Sequence, residues 1–268
     1  MMPNPAVTSN PQGVPSPSSA PLLEIRGVSK SFHAVEALVD VDLVVHRREV
    51  VALVGDNAAG KSTLARIISG VYLPDEGEVL LDGVPAAAPT PAAAYKQGVA
   101  SVFQELALCD NLSVVANIFL GHELSTGSLL REETMEALAR GYLSQVGGRI
   151  PSIHTNVANL SAGQRQCVAI ARTLVGQPRL VVLDEPTASL SVASTAEVLG
   201  YIEHLRSLDL GVIFISHSLT DVRAVADRVE VLRHGRNNGT FDARTGRYED
   251  IIAAMTGATH LRKVASRR

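Results

Sequence analysis

The sequence predicts an α/β protein with a doubly wound core, in which crossover helices cover both faces of a parallel sheet. Val50–Val54, Val99–Phe103, Leu180–Leu183 and Val212–Ile215 are short, almost wholly apolar runs rich in β-branched residues. Such runs fit strands buried on both faces. The segments between them are long enough to hold the helices that connect parallel strands. A third observation divides the core. From about Glu105 to Pro178 the sequence is helix-like with few strand signals, yet it lies between two core strands. Residues 22–104 and 179–257 are therefore expected to form the α/β core, and residues 105–178 an inserted helical subdomain.

Taken in order, residues 1–21 are rich in Pro, Ser and Asn and lack both a charged start and an apolar centre. They read as a flexible tail rather than a secretory signal. Leu22–Arg26 and Val39–Val45 read as strands. In the second, Val41, Leu43 and Val45 alternate with Asp40, Asp42 and Val44, which suits a sheet with one more exposed face. No internal repeat follows. Residues 258–268 carry Arg262, Lys263, Arg267 and Arg268 and read as a solvated basic tail.

Composition narrows the function. Hydrophobic residues at 46% and charged residues at 19% give a globular balance. A net charge of −3 argues against a nucleic-acid binder that relies on bulk positive charge, and no nucleic-acid partner is expected. Cys109 and Cys167 lie far apart without metal-type spacing and read as two small buried thiols in a reducing compartment. No apolar stretch approaches the roughly 20 residues of a membrane-spanning helix, so a cytoplasmic location is expected.

Three motifs carry chemistry. Gly55-Asp56-Asn57-Ala58-Ala59-Gly60-Lys61-Ser62 has the pattern G-x-x-x-x-G-K-[ST] and stands between the strand Val50–Val54 and a helical run ending near Gly70. In that context successive backbone N–H groups and a helix N-terminus cradle phosphate. Lys61 adds a point charge at the β- and γ-phosphates, and the Ser62 hydroxyl can coordinate Mg²⁺. Next, Leu180–Leu183 runs into Asp184 and Glu185. A carboxylate at a parallel strand's C-terminal end falls beside such a loop, where Asp184 can hold the metal through water. Glu185 is placed to orient the attacking water as general base. Finally, Leu160-Ser161-Ala162-Gly163-Gln164 opens an amphipathic helix with Cys167, Ile170, Ala171, Leu174 and Val175 on one face, closed by Gly176 and Pro178. Ser161 suits an N-cap, and Gly163 leaves room for a ligand to approach the backbone.

The segment Leu160–Gln164, in order between the phosphate loop and Asp184-Glu185, resembles the L-S-G-G-Q signature of ABC ATPases, and the resemblance covers roughly residues 22–257. It implies a P-loop NTPase core with a parallel sheet and an inserted helical subdomain, binding ATP with Mg²⁺. It also implies that Thr63 joins the loop residues at the nucleotide and that Phe32, in Ser29-Lys30-Ser31-Phe32, stacks on adenine. By the same resemblance Gln104 senses Mg²⁺ and the γ-phosphate, and His217 is the switch histidine. Ser161, Ala162, Gly163 and Gln164 then contact the nucleotide of a second chain. A head-to-tail homodimer is expected.

Within that family the chain is most similar to the ATPase subunits of bacterial simple-sugar importers, through Phe103–Leu108, Leu112–Val114, Asn117–Gly121, Glu185–Ser191 and Ala226–Arg233. Ser191 stands where most members have aspartate and this group often has serine or threonine. The resemblance implies permease partners at the inner face of the membrane and, indirectly, a substrate-binding protein. A soluble ABC ATPase acting on ribosomes or nucleic acid would be expected to carry two cassettes or large inserts. A nucleotide-binding regulatory scaffold would be expected to lack Glu185 or His217. Three positions depart from the family pattern: Ala58 and Arg48 replace turn or loop glycines, and Ala162 replaces the first signature glycine. Alanine at position 58 requires a negative φ to fit without strain.

Overall fold

A computed structural model describes residues 20–86 and 90–258. Both tails of the sequence analysis fall almost entirely outside the described residues. In chain order the elements are β1 (Leu23–Phe32), β2 (Val35–Val45), β3 (Val50–Val54), α1 (Lys61–Ile68), β4 (Glu76–Leu81) and β5 (Val84–Pro85). There follow α2 (Pro91–Lys96), β6 (Val99–Val102), α3 (Val114–Phe119), β7 (Ser125–Thr126), β8 (Leu129–Leu130), α4 (Glu132–Gln145) and α5 (Ala162–Thr173). The chain then forms β9 (Leu180–Asp184), α6 (Val192–Ser207), β10 (Gly211–Ile215), α7 (Leu219–Val225), β11 (Arg228–Arg233), β12 (Arg236–Asp242) and α8 (Tyr248–Thr256).

The four apolar runs are β3, β10, β9 and β6 of one sheet of order β12-β11-β3-β10-β9-β6, in which β11, β3, β10, β9 and β6 are parallel, β6 is one edge and β12 is antiparallel at the other. Their side chains divide by the two-residue period of a strand. Val50, Ala52, Val54, Val181, Leu183, Val212 and Phe214 enter one core, while Val51, Leu53, Leu180, Val182, Ile213 and Ile215 enter the other. Every residue of β3, β9 and β10 is buried. Apolar surface removed from water on both faces of these strands stabilises the fold by about 25 cal/mol per Å².

Helices lie on both faces, as expected, but on one face they share the cover with a second sheet that the expectation did not include. One face carries α5, α6, α7 and α8. The other carries α1 and α2 together with a second sheet of order β2-β1-β4-β5. That sheet is antiparallel, and it buries Leu23, Ile25, Val28, Val41, Leu43 and Val45 against the central strands. β1 also runs past Arg26 to Phe32, with register shifts on the way.

Segment 105–178 contains α3, α4 and α5, plus the small β7–β8 hairpin. Val114, Ile118, Met135 and Leu143 belong to the same buried cluster as Val181 and Phe214, so the helices share the central sheet's upper core. α5 starts beside this cluster. It is buried nearly all round, because Val168 and Ala169 are as inaccessible as Cys167 and Ile170. Cys109 is only partly buried, unlike Cys167. Among the described residues no helix is long and apolar enough to cross a membrane.

Candidate functional site

The phosphate loop takes its shape from what its neighbours forbid. Gly55 follows β3 with φ 152°, and a Cβ there would sit 2.2 Å from the Leu232 carbonyl oxygen at the end of β11. Gly60 caps α1 with φ 102°, and a Cβ there would meet Leu38 at 2.6 Å and the Ala37 carbonyl at 2.7 Å. No side chain fits either place. Between them Asp56, Asn57 and Ala58 are exposed and Ala59 is buried. Ala58 has φ 64°, contrary to the negative value expected for it. The left-handed conformation is imposed by the loop, and alanine occupies it at a cost of about 1–2 kcal/mol. Arg48, the other replaced turn glycine, also has a positive φ of 60°.

Lys61 opens α1 and is buried. Its Nζ donates to the carbonyls of Gly55 at 2.6 Å and Asp56 at 2.9 Å. Burial pushes its pKa down, opposed by the charges of Glu185, Asp184 and Asp56. Asp184 ends β9 and is 6% exposed. Burial pushes its carboxyl above the usual range, with the Ser62 hydroxyl, Arg66 and Lys61 acting the other way. Its Oδ1 is buried without a hydrogen-bond partner. An orphaned carboxylate oxygen beside a hydroxyl fits a hard cation such as Mg²⁺, which is held by few protein oxygens together with phosphates and waters. No cluster of three or more His, Cys, Asp or Glu that could hold a metal occurs among the described residues. A site for an ion carried in with nucleotide does not require one.

Glu185 turns the chain out of β9 with φ 53°, held by its N–H donating to the Ile215 carbonyl at 3.0 Å. That turn points its carboxylate at His217, which stands beyond the end of β10, and Nδ1–H of His217 donates to Glu185 Oε2 at 2.8 Å. A non-glycine residue in this conformation is a strained feature of the kind that collects at reactive sites.

Asn57–Thr63, Gln104, Glu185 and His217 line one open cavity of about 460 Å³, within the range of small-molecule sites. Asp184 lies outside that lining, buried at the end of β9. Sequence reasoning missed Val35, Glu36, Ala37 and Ala188, which complete the wall. Val35 is 65% exposed, and an apolar residue at a hairpin tip, three positions after Phe32, was the available signal. Phe32 is not in the wall. It is half-buried, with its ring edge-on to Tyr72 at a centroid distance of 5.1 Å.

The signature residues lie elsewhere. Ser161 accepts from the Gln164 N–H at 3.2 Å, and Gln164 Oε1 accepts from the Ser161 N–H at 3.0 Å, forming a capping box at the start of α5. Ser161 and Gln164 border a separate cavity of about 310 Å³, shared with Arg149, Glu197, Tyr201 and His204. Gly163 has a reason within the chain, since a Cβ there would stand 3.0 Å from the Glu197 carboxylate and 3.1 Å from Ser194 on α6. The expected approach of a ligand is thus not needed to account for it.

Comparison with known proteins adds the family. Residues 38–188 match the family model described as ABC transporter. The chain is 43% identical over 243 residues to the ribose import ATP-binding protein RbsA 2 of Burkholderia pseudomallei, covering 88% of this chain and 47% of that protein. It is 42% identical over 235 residues to the xylose/arabinose import ATP-binding protein XylG of Sulfolobus acidocaldarius, covering 88% of this chain and 94% of that one. The chain spans about half the length of the ribose import proteins it matches. Among solved structures, a nucleotide-free ATP-binding cassette from an ABC transporter superposes with a TM-score of 0.77 at 24% identity, over 88% of this chain and 96% of that one. A dimeric post-hydrolysis cassette bound to ADP and Pi gives 0.71 at 25% identity, over 84% and 100%.

Proposed function

Because the chain belongs to the ABC transporter family, we propose that it is the ATP-binding and ATP-hydrolysing subunit of an importer for a simple sugar. One observation carries the reading: Asn57–Ser62 of the phosphate loop, Gln104, Glu185 and His217 line a single cavity, with the buried Asp184 ending the strand that leads into Glu185. The sugar-import names of the relatives support the solute class.

In this mechanism Lys61 exchanges its two carbonyl partners for the β- and γ-phosphates, while the loop N–H groups and the α1 N-terminus hold the remaining phosphate oxygens. Ser62, Asp184 and Gln104 would hold Mg²⁺, which supplies charge neutralisation on the phosphate oxygens. Glu185 orients the attacking water and draws its proton, and His217 fixes the Glu185 carboxylate through the 2.8 Å bond. Phe32 at the end of β1 is assigned to the adenine.

Ser161 and Gln164 do not border the cavity that holds Lys61, so the signature is assigned to the nucleotide of a second copy of the chain. Permease subunits would hold this pair at the cytoplasmic face of the membrane, supplied by a substrate-binding protein. The test is Glu185→Gln. The variant is expected to bind ATP and to hydrolyse it about 10²–10⁴-fold more slowly. It is also expected to run as a dimer with saturating ATP at micromolar concentration. Turnover within threefold of wild type removes Glu185 as the base, and a monomer under those conditions removes self-pairing.

A further inference from the structure

The loop that leaves Gln104 is held from the far end of the signature helix. Arg172, in the last turn of α5, donates from Nη2 to the Leu106 carbonyl at 2.8 Å and from Nη1 to the Ala107 carbonyl at 2.9 Å. Ala107 has φ 48°, a conformation that an L-residue keeps only when its surroundings hold it. Two residues on, the wholly buried Asn117 of α3 takes over. Its Oδ1 accepts from the Cys109 N–H at 2.7 Å, and its Nδ2 donates to the Cys109 carbonyl at 3.0 Å. The segment after Gln104 is therefore gripped at its backbone by two side chains of the helical layer.

Arg172 is an unusual choice for a structural clamp. It is substantially desolvated, which pushes its pKa down, and among the described residues no carboxylate offsets that burial. Its partners are neutral carbonyls. Holding a half-buried cation on neutral carbonyls is unfavourable compared with leaving it in water, so the two bonds serve the geometry of the loop. The planar guanidinium can reach two adjacent carbonyls at once, which an ammonium does less well. One rigid helix thus carries Ser161 at its start and Arg172 in its last turn, about 16 Å apart at 1.5 Å per residue.

We propose that Arg172 is a positioning residue for Gln104, tying the reach of that side chain into the nucleotide cavity to the placement of the signature helix. This rests on the ATPase reading above and deepens it. When α5 shifts, the carbonyls of Leu106 and Ala107 shift with it, and Gln104, two residues away, moves relative to Lys61 and Glu185.

The experiment compares the full chain with Arg172→Met and Arg172→Lys, measuring ATP turnover, ATP affinity, melting temperature and amide hydrogen exchange by peptide. The expected result for Arg172→Met is a kcat lowered between about tenfold and a hundredfold, the loss that a misplacement of about 1 Å produces. KM for ATP stays within threefold. Exchange rises over residues 104–109 and is unchanged in β3 and β9. Arg172→Lys recovers part of the lost turnover. A kcat within twofold of wild type in both variants overturns the proposal. So does a parallel fall of kcat, affinity and exchange protection across the whole chain, which would mark a purely structural arginine. If Arg172→Met does not fold, Arg172→Lys decides alone: lowered kcat at unchanged melting temperature supports the positioning role, and wild-type kcat refutes it. A wild-type chain that binds ATP without turning it over removes the ATPase reading and this proposal together. A wild type that turns over, with variants equal to it, removes the proposal alone.

Discussion

Replacing Ala58 by glycine isolates the strain in the phosphate loop. Ala58 has φ 64° and an exposed side chain, so Ala58→Gly removes no buried contact. Relief of the left-handed penalty is about 1–2 kcal/mol. Against it stands the greater freedom of glycine in the unfolded chain, about 0.4–1 kcal/mol. The net expectation is a gain of up to about 1.6 kcal/mol, centred on about 0.8 kcal/mol. With about 2.1 cal/mol/K of unfolding entropy per residue, the 268 residues convert this into a rise centred on about 1.5 °C and no larger than about 3 °C in melting temperature. The assay is calorimetric or urea unfolding of the nucleotide-free protein, run beside Arg48→Gly. Arg48 shares the positive φ but lies outside the phosphate loop and should gain a similar amount. If both variants are stabilised, backbone strain is the cause. An unchanged or lowered midpoint for Ala58→Gly, with a gain at Arg48→Gly, would show that the loop holds alanine without strain and that the argument from φ fails there.

Three further outcomes follow from the site. Phe32→Ala is expected to weaken ATP binding by about 1–3 kcal/mol, the size of base stacking on an aromatic ring. Unchanged affinity with a lowered melting temperature would assign the ring to its contact with Tyr72 instead. Asp184→Asn is expected to abolish metal-dependent turnover and to raise the denaturation midpoint of the nucleotide-free protein at neutral pH. Burial raises the Asp184 pKa in the folded state, so its ionised form destabilises the fold above that pKa. The penalty fades as pH falls toward the ordinary carboxylate value, where the variant and wild type should converge. A midpoint difference that grows on acidification would contradict this sign. Gly55→Ala places a Cβ 2.2 Å from the Leu232 carbonyl oxygen and is expected to lower both stability and nucleotide affinity, as read by unfolding and by equilibrium binding.

The central strands were legible because double-sided burial leaves a compositional trace, and β3, β6, β9 and β10 begin and end within about one residue of the apolar runs. The antiparallel layer was harder. β4, Glu-Gly-Glu-Val-Leu-Leu, is exposed over its first half, and β12 is polar and pairs with β11 through backbone bonds that no hydrophobic pattern advertises. β1 was cut short at Arg26 because Gly27, with φ 58°, interrupts the alternation of the strand. Among site residues, Lys61, Gln104, Glu185 and His217 are marked by motif and order, and the cavity brings them together. Val35, Glu36 and Ala37 reach the same cavity only because a hairpin folds over it. Arg172 meets Leu106 and Ala107 across more than sixty residues of sequence. Contacts of that kind depend on the closed fold and leave no local pattern to read. The backbone at Ala58 was misjudged for a related reason, since loop closure between β3 and α1 dictates φ regardless of the side chain.

The bonds from Lys61 to the Gly55 and Asp56 carbonyls hold its ammonium inside the loop. The strongest local cation is already engaged, so the free loop does not present a bare charge to every passing anion. A phosphate must displace two good acceptors, and a lone inorganic phosphate gains little from the trade, whereas a polyphosphate chain also gathers the loop's N–H groups. On the proposed function, the same carbonyls would take the ammonium back as the anion withdraws. On that reading the loop would reset after each turnover and favour a polyphosphate chain over a lone phosphate.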